Sequence, residues 1–464
     1  MKYFIRTYGC QMNHSDSERI AGVLELANYE KSSQESDADL IVINMCSVRE
    51  SAVSRISGNF HKYKKYIITN PNLKTVITGC VLDSDKEKFG ELFDLVIDIR
   101  EIEKLPERLK SMSTNKILPE FKTSQPSLSG GTKSSSSNQK SMIFRKARND
   151  KEKLEIENTY DYFSINPQHE SKITAYVPIM TGCNNFCSYC VVPYTRGREK
   201  SRMVDEIIDE IAKLIENGYK EIILLGQNVN SYQPDENTNF PKLLRLINDI
   251  PGHFWIRFLT SHPKDISEEL IKTVALCEKC TEYIHLALQS GDDDILKIMN
   301  RKYTAEHFLI LVQMIRKNIS NVAITTDIIV GFPTETIEQL QNTAEIMKKI
   351  KFDMAYINKY SPREGTVSAK MTDNVSWDEK KEREVILNKI LKETALENNQ
   401  KYVGKVVEVL VDKIDGDFIF GKTKSFKSVK IGIINYKSRI KEGEFLKVKI
   451  TEAEFWNLEG EVVE

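Results

Sequence analysis

Between Ile173 and Asn358 the sequence sets a short apolar run ahead of a helical pattern six times in succession: ITAYVPI, EIILLG, WIRFLT, YIHLAL, VAITTDIIVG and FDMAYIN. Strands joined through helices point the same way and pair in parallel. The region is thereby confined to a parallel sheet, open or curled toward a barrel, with ligand-binding loops at the strand C-termini. A charged helical pattern from Trp377 to about Asn399 closes it. The N-terminal segment repeats the plan with KYFIRTYG, DLIVIN and KTVITG, and DLVID adds a further strand. Helical patterns run there from about Asp16 to Ala27 and from about Arg49. From about Lys401 the texture changes to short β-type runs, KVVEVLVDKI, DFIFGKT, VKIGII and EFLKVKITEAEFW, the pattern of a small all-β barrel or sandwich. The stretch FKTSQPSLSGGTKSSSSNQK has no apolar period and reads as a linker. The expected division is 1–115, a linker at 116–166, 167–399 and 400–464, since 464 residues exceed one core.

No apolar run approaches the roughly 18 to 20 residues of a membrane helix. The start, MKYFIRTYGCQMNHSDSE, lacks the apolar stretch and cleavage site of a secretory signal. The expectation is a cytoplasmic protein with no membrane partner, in which the eight cysteines serve metal ligation or catalysis rather than disulfides. A formal net charge of −1 excludes a uniformly basic surface, so nucleic acid would have to be held by local patches.

Six of the cysteines fall into two groups. Cys10, Cys46 and Cys80 follow the first three strands at nearly equal intervals. In a parallel sheet those strand ends share one edge, so three thiols distant in sequence converge; the alternative is three small buried residues. Cys183, Cys187 and Cys190 crowd the loop after the first strand of the six-unit region. A structural zinc site requires four ligands, whereas three thiolates suit a cubane iron–sulfur cluster with one iron open to a substrate or cofactor. Cys277 and Cys280 form a lone C-x2-C, which reads as burial or incidental exposure rather than a metal site.

The form Cys183-Asn-Asn-Phe-Cys187-Ser-Tyr-Cys190 resembles the cluster loop of radical S-adenosylmethionine (SAM) enzymes. The longer run GCNNFCSYCVVPYTRGREKSR is similar to the tRNA methylthiotransferases of the MiaB type. TYGCQMNHSDSE, NMCSVRESA, LLGQNVNSY, TSHP, LQSG and DIIVGFPTET carry the same resemblance, which spans nearly the whole chain apart from the serine-rich linker. It implies an N-terminal parallel α/β domain holding a second 4Fe-4S cluster on Cys10, Cys46 and Cys80. It also implies a central partial (β/α)6 barrel with the radical cluster on Cys183, Cys187 and Cys190, and a C-terminal TRAM-like barrel that binds RNA. The implied reaction places a methylthio group on N6-isopentenyladenosine beside the tRNA anticodon. One SAM yields a 5′-deoxyadenosyl radical and a second supplies the methyl group. An electron donor of reductase or flavodoxin type and a sulfur or iron–sulfur donor are the implied partners, besides the tRNA anticodon stem-loop, and the chain is expected to be a monomer. The third N-terminal cysteine stands in TGCVLDSDKEKF, where close relatives often continue with a small residue and glutamine.

Candidate SAM contacts are Tyr189, against the adenine, with Gln289 and Ser290 after the YIHLAL strand and Asp327 within VAITTDIIVG. A loop-core aromatic and strand-end polar residues serving nearby backbone are the ordinary readings of the same positions. Arg196, Arg198, Lys200 and Arg202 form an alternating basic set for RNA phosphate, as do Lys422, Lys424, Lys427 and Lys430 in KTKSFKSVK, where Phe426 offers a stacking face. A solvated loop and a lysine-protected edge strand are the alternatives. Two rival functions remain open at this stage. One is a sister-branch enzyme acting on threonylcarbamoyladenosine or a ribosomal-protein aspartate, and the other is a non-catalytic iron–sulfur RNA-binding regulator.

Overall fold

A computed structural model describes residues 1–47, 50–112, 162–432 and 440–463; most of the serine-rich linker lies outside them. The N-terminal sheet is parallel, with strands β1 (Lys2–Tyr8), β2 (Glu30–Lys31), β3 (Leu40–Cys46), β4 (Lys74–Cys80) and β5 (Leu95–Val96) in the order β2-β1-β3-β4-β5. β3 is buried along its whole length, as a central strand covered on both faces must be. β5 is shorter than DLVID suggests because its flanking aspartates have other duties. Asp94 accepts from the Thr75 amide at 2.8 Å, and Asp98 caps the following 3-10 turn. The first helix runs Gln11–Leu26, beginning one residue after Cys10 rather than at Asp16. Its first turns bury Asn13, Ser15, Asp16 and Arg19, so no apolar period marks them in the sequence.

The six central strands form two three-stranded parallel sheets. Strands β6 (Thr174–Pro178), β9 (Glu221–Leu225) and β10 (Trp255–Phe258) make the first, in the order β10-β9-β6. Strands β11 (Tyr283–His285), β12 (Ala323–Val330) and β13 (Met354–Lys359) make the second, in sequence order. Parallel bridges Ile256–Cys280 and Ser261–Leu286 join them into a partial barrel. The large apolar core lies between these strands and their helices. Two short antiparallel strands, β7 (Met180–Thr181) and β8 (Lys200–Ser201), clamp the base of the loop carrying Cys183, Cys187 and Cys190.

The C-terminal part is a closed barrel of β14 (Val406–Asp415), β15 (Phe418–Thr423), β16 (Ser428–Gly432), β17 (Phe445–Ala453) and β18 (Asn457–Val462), in the order β14-β15-β16-β18-β17. Its β15–β16 turn docks where the central strands begin. Phe426, at φ +65°, packs 5.0 Å from the Tyr283 ring, and the fully buried Arg257 guanidinium lies 4.1 Å from the Phe426 centroid. Lys424 pairs with Glu282, and Lys427 with Asp353 at 2.6 Å. Tyr283 opens β11, and Glu282 and Asp353 precede β11 and β13, so this turn closes the N-terminal mouth of the partial barrel.

Candidate iron–sulfur and cofactor site

The central cysteine loop is held from several sides. Gly182 has φ +77°, and a β-carbon added there would lie 2.0 Å from the Arg198 carbonyl oxygen, so any side chain would collide with backbone. The Cys183 amide donates to Gly197 O at 3.2 Å, and the Ser188 amide to Met299 O at 3.0 Å. Asn300 Nδ2 donates to the carbonyl of Phe186, itself at φ +46°. Arg301, which the sequence did not single out, is buried and donates to Cys187 Sγ at 3.5 Å, Tyr303 OH at 2.8 Å and Ala287 O at 2.5 Å. Burial pushes the Cys190 thiol up to about 12 and raises Cys183 as well. A bound cation reverses that preference, because its charge favours the thiolate.

The N-terminal trio gathers on the sheet edge. Cys46 and Cys80 are register partners at the ends of β3 and β4, and Cys10 caps the first helix. A hydrogen bond from Cys46 holds Cys80 down to about 6 against the effect of burial, with further help from Arg196. Burial raises the Cys10 thiol, which also lies close enough to feel a charge on Cys80. Asn13 and Asn44 lock the first helix to β3: Asn13 Nδ2 donates to Asn44 Oδ1 at 3.1 Å, and Asn44 Nδ2 returns to Asn13 O at 2.7 Å. Among the described residues no three His, Cys, Asp or Glu side chains close around a single metal ion. Two trios of thiols, each with a buried arginine donating to one sulfur, instead fit a multi-atom cluster with thiolate ligands.

The expected SAM contacts occupy different situations. Tyr189 packs 6.5 Å from the Phe332 ring, in an apolar cluster with Ile295, Met299 and Tyr360. Gln289 follows β11 in a left-handed conformation, φ +68°, which is costly for a non-glycine residue and recurs at ligand sites. Ser290 is fully buried, its hydroxyl accepting from the Asp292 amide at 3.2 Å and lying 3.4 Å from Thr343 Oγ1. Asp327 pairs with His285 at 3.0 Å. Unanticipated polar atoms lie on the same side: the Ser188 and Ser261 hydroxyls and both ends of the Asn230 amide are buried with no hydrogen-bond partner in the protein. These atoms belong to the cysteine loop and to the loops after β9 and β10, and their unfilled capacity fits a polar ligand. His262 is buried there too; burial, then the Arg301 charge, push it down to about 2, so it stays neutral.

The basic residues expected to hold RNA phosphate are placed in several different situations. Arg196 is buried against Asp16 and Cys80, and Arg202 against Glu206 and Glu210, so neither has a free face for phosphate. Arg198 lies 4.3 Å from the Phe186 centroid, and Lys200 is exposed on β8. Lys424 and Lys427 are bound to the floor of the central barrel, Lys422 pairs with Asp412 at 3.1 Å and Lys430 with Glu459 at 3.2 Å. Phe426 is occupied by Tyr283 and Arg257 rather than offered to a base. Exposed aromatics of this barrel include Phe418 and Phe420 on the outer face of β15, with Lys430 Nζ 4.4 Å from the Phe418 centroid, and Phe455 and Trp456 in the β17–β18 turn. Cys277 and Cys280 are both buried in one turn between a helix and a strand.

A curated protein of Clostridium novyi (strain NT), tRNA-2-methylthio-N(6)-dimethylallyladenosine synthase, is 41% identical over 475 residues, covering 100% of this chain and 96% of the relative. The chain belongs to this family. A second member, from Thermoanaerobacter pseudethanolicus (strain ATCC 33223 / 39E), is 41% identical over 474 residues, with 93% of its length covered. Within this synthase-family chain, residues 2–99 match the uncharacterized protein family UPF0004, residues 177–347 the radical SAM superfamily and residues 400–463 the TRAM domain. Radical SAM membership implies a 4Fe-4S cluster and SAM. Among solved structures, the radical SAM methyltransferase TsrM from Kitasatospora setae, bound to cobalamin and a 4Fe-4S cluster, aligns at TM-score 0.51 and 14% identity. It covers 79% of this chain and 74% of that one, a likeness of fold alone. Among the described residues no helix is long and apolar enough to cross a membrane.

Proposed function

We propose that the protein methylthiolates carbon 2 of N6-isopentenyladenosine beside the tRNA anticodon, in the cytoplasm, with a 4Fe-4S cluster at each cysteine trio. The observation that carries this reading is the second trio: Cys46 and Cys80 in register beside Cys10, which supplies a sulfur-handling site in addition to the radical loop. A cluster on Cys183, Cys187 and Cys190 supplies the one-electron cleavage of SAM. The chain's own residues bind, orient and shield. Arg301 steadies Cys187 with its charge. Ser188, Asn230 and Ser261, with Gln289 in its strained turn, present polar groups for the SAM amino acid and ribose. Tyr189 offers one ring face beside Phe332 for the adenine. The closed floor of the barrel keeps water from reaching a reactive species from below.

RNA contact is assigned to Phe418 and Phe420 with Lys430, an aromatic face beside a cation, together with Arg198 and Lys200 at the cysteine loop. An external electron donor and a source of replacement sulfur complete the partners, and the boundaries 1–115, 116–166, 167–399 and 400–464 are retained. The test is nucleoside mass spectrometry of tRNA from cells with and without the gene. Loss of the methylthio form with accumulation of isopentenyladenosine is expected. An unchanged profile, or a change confined to threonylcarbamoyladenosine species, rejects the substrate. Formation of 5′-deoxyadenosine by reduced, reconstituted protein, and its loss in Cys187→Ala, separates the enzyme from a non-catalytic iron–sulfur regulator.

A further inference from the structure

The dipeptide Arg196-Gly197 touches both cysteine sites. Arg196 closes the one-turn helix Val192–Thr195 that follows Cys190, its amide donating to Val192 O at 2.8 Å. The neighbouring Gly197 carbonyl accepts the Cys183 amide at 3.2 Å. The Arg196 side chain reaches into the N-terminal part, where Nε donates to Cys80 Sγ at 3.0 Å and the two Nη atoms reach both oxygens of Asp16, at 2.5 and 3.4 Å. Asp16 is fully buried on the helix that Cys10 caps and also accepts from Tyr162 OH at 2.6 Å. Arg19 covers the Tyr162 ring, its guanidinium 5.0 Å from the centroid. A buried guanidinium is tolerated only when its charge is paired and its donors are directed. Here one carboxylate balances the charge, and the remaining directed donor meets a sulfur.

We propose that Arg196 is a positioning residue that fixes the two cysteine sites relative to each other. Its guanidinium, gripped by Asp16, holds the Cys80 sulfur while the adjoining carbonyl holds Cys183. It thereby makes a cluster bound at Cys10, Cys46 and Cys80 easier to reduce. The inference rests on reading those three cysteines as cluster ligands. A hydrogen bond to a ligand sulfur favours the more negative, reduced state of such a cluster, and the charge-paired guanidinium supplies that bond to Cys80.

The test uses the full chain with Cys183, Cys187 and Cys190 replaced by alanine, so that reconstituted iron resides at the N-terminal trio alone. Iron and sulfide analysis, an EPR-monitored redox titration and the rate of iron loss to a chelator read that site without turnover. Arg196→Met combined with Asp16→Asn removes both buried charges together. It is expected to lower the midpoint potential and speed iron loss several-fold, and Arg196→Lys is expected to fall between it and the parent. An unchanged potential and chelation rate overturn the inference while leaving the ligand reading intact. Should circular dichroism show the double variant unfolded, Arg196→Lys decides alone, a shift in the same direction supporting the inference and no shift overturning it. A parent chain that takes up no iron overturns the reading of Cys10, Cys46 and Cys80 as ligands, and the inference with it.

Discussion

Arg301 gathers Cys187, Tyr303 and the Ala287 carbonyl under one guanidinium, although no motif marks it. Arg301→Ala is expected to destabilise the fold by about 1 to 3 kcal/mol through unsatisfied buried partners. It should also reduce the yield of 5′-deoxyadenosine from reconstituted protein, with Arg301→Lys restoring part; urea unfolding and product analysis check the two effects. His262 carries a pH dependence of definite sign. Its folded value is pushed down to about 2 from an ordinary 6.5, so the unfolded chain binds the extra proton between those limits. The stabilisation is whole above pH 6.5 and falls by up to about 1.4 kcal/mol per unit as the solution is acidified below it. Unfolding at pH 5 and at pH 7 should show that slope in the natural chain and a shallower one in His262→Asn.

The elements divide sharply in how far the sequence revealed them. The six central strands were legible because each is an apolar run before a helix. The cysteine slots at the ends of β3 and β4 were legible because the sheet is parallel. The role of the basic segments was not legible, since their partners are distant in the chain. Asp16 is 180 residues from Arg196, and Lys427 meets Asp353 from 74 residues away. The start of the first helix was hidden by buried polar residues that follow no apolar period. On β15 the alternation puts Phe418 and Phe420 outside and Ile419 and Gly421 inside. Phe418→Ala with Phe420→Ala should weaken tRNA binding by about 1 to 3 kcal/mol for each stacked base while leaving the melting temperature nearly unchanged. Filter binding and calorimetry test this. At the neck of the cysteine loop, Gly182→Ala forces a side chain onto the Arg198 carbonyl and should lower iron content at the central trio, read by iron analysis.

Across the whole molecule, the N-terminal sheet edge is tied to the central loop by Arg196, and the C-terminal barrel seals the opposite mouth through Phe426. Phe426→Ala should cost about 2 to 4 kcal/mol and loosen the C-terminal barrel, so that limited proteolysis releases a fragment beginning near residue 400. The seal also bears on traffic. With the β15–β16 turn seated in the lower mouth, a small molecule bound among the strand-end loops shares its doorway with the much larger RNA. With SAM bound among those loops, as proposed above, ordered addition is expected, SAM before the RNA and the modified nucleoside released before the SAM-derived products, and product-inhibition kinetics check it.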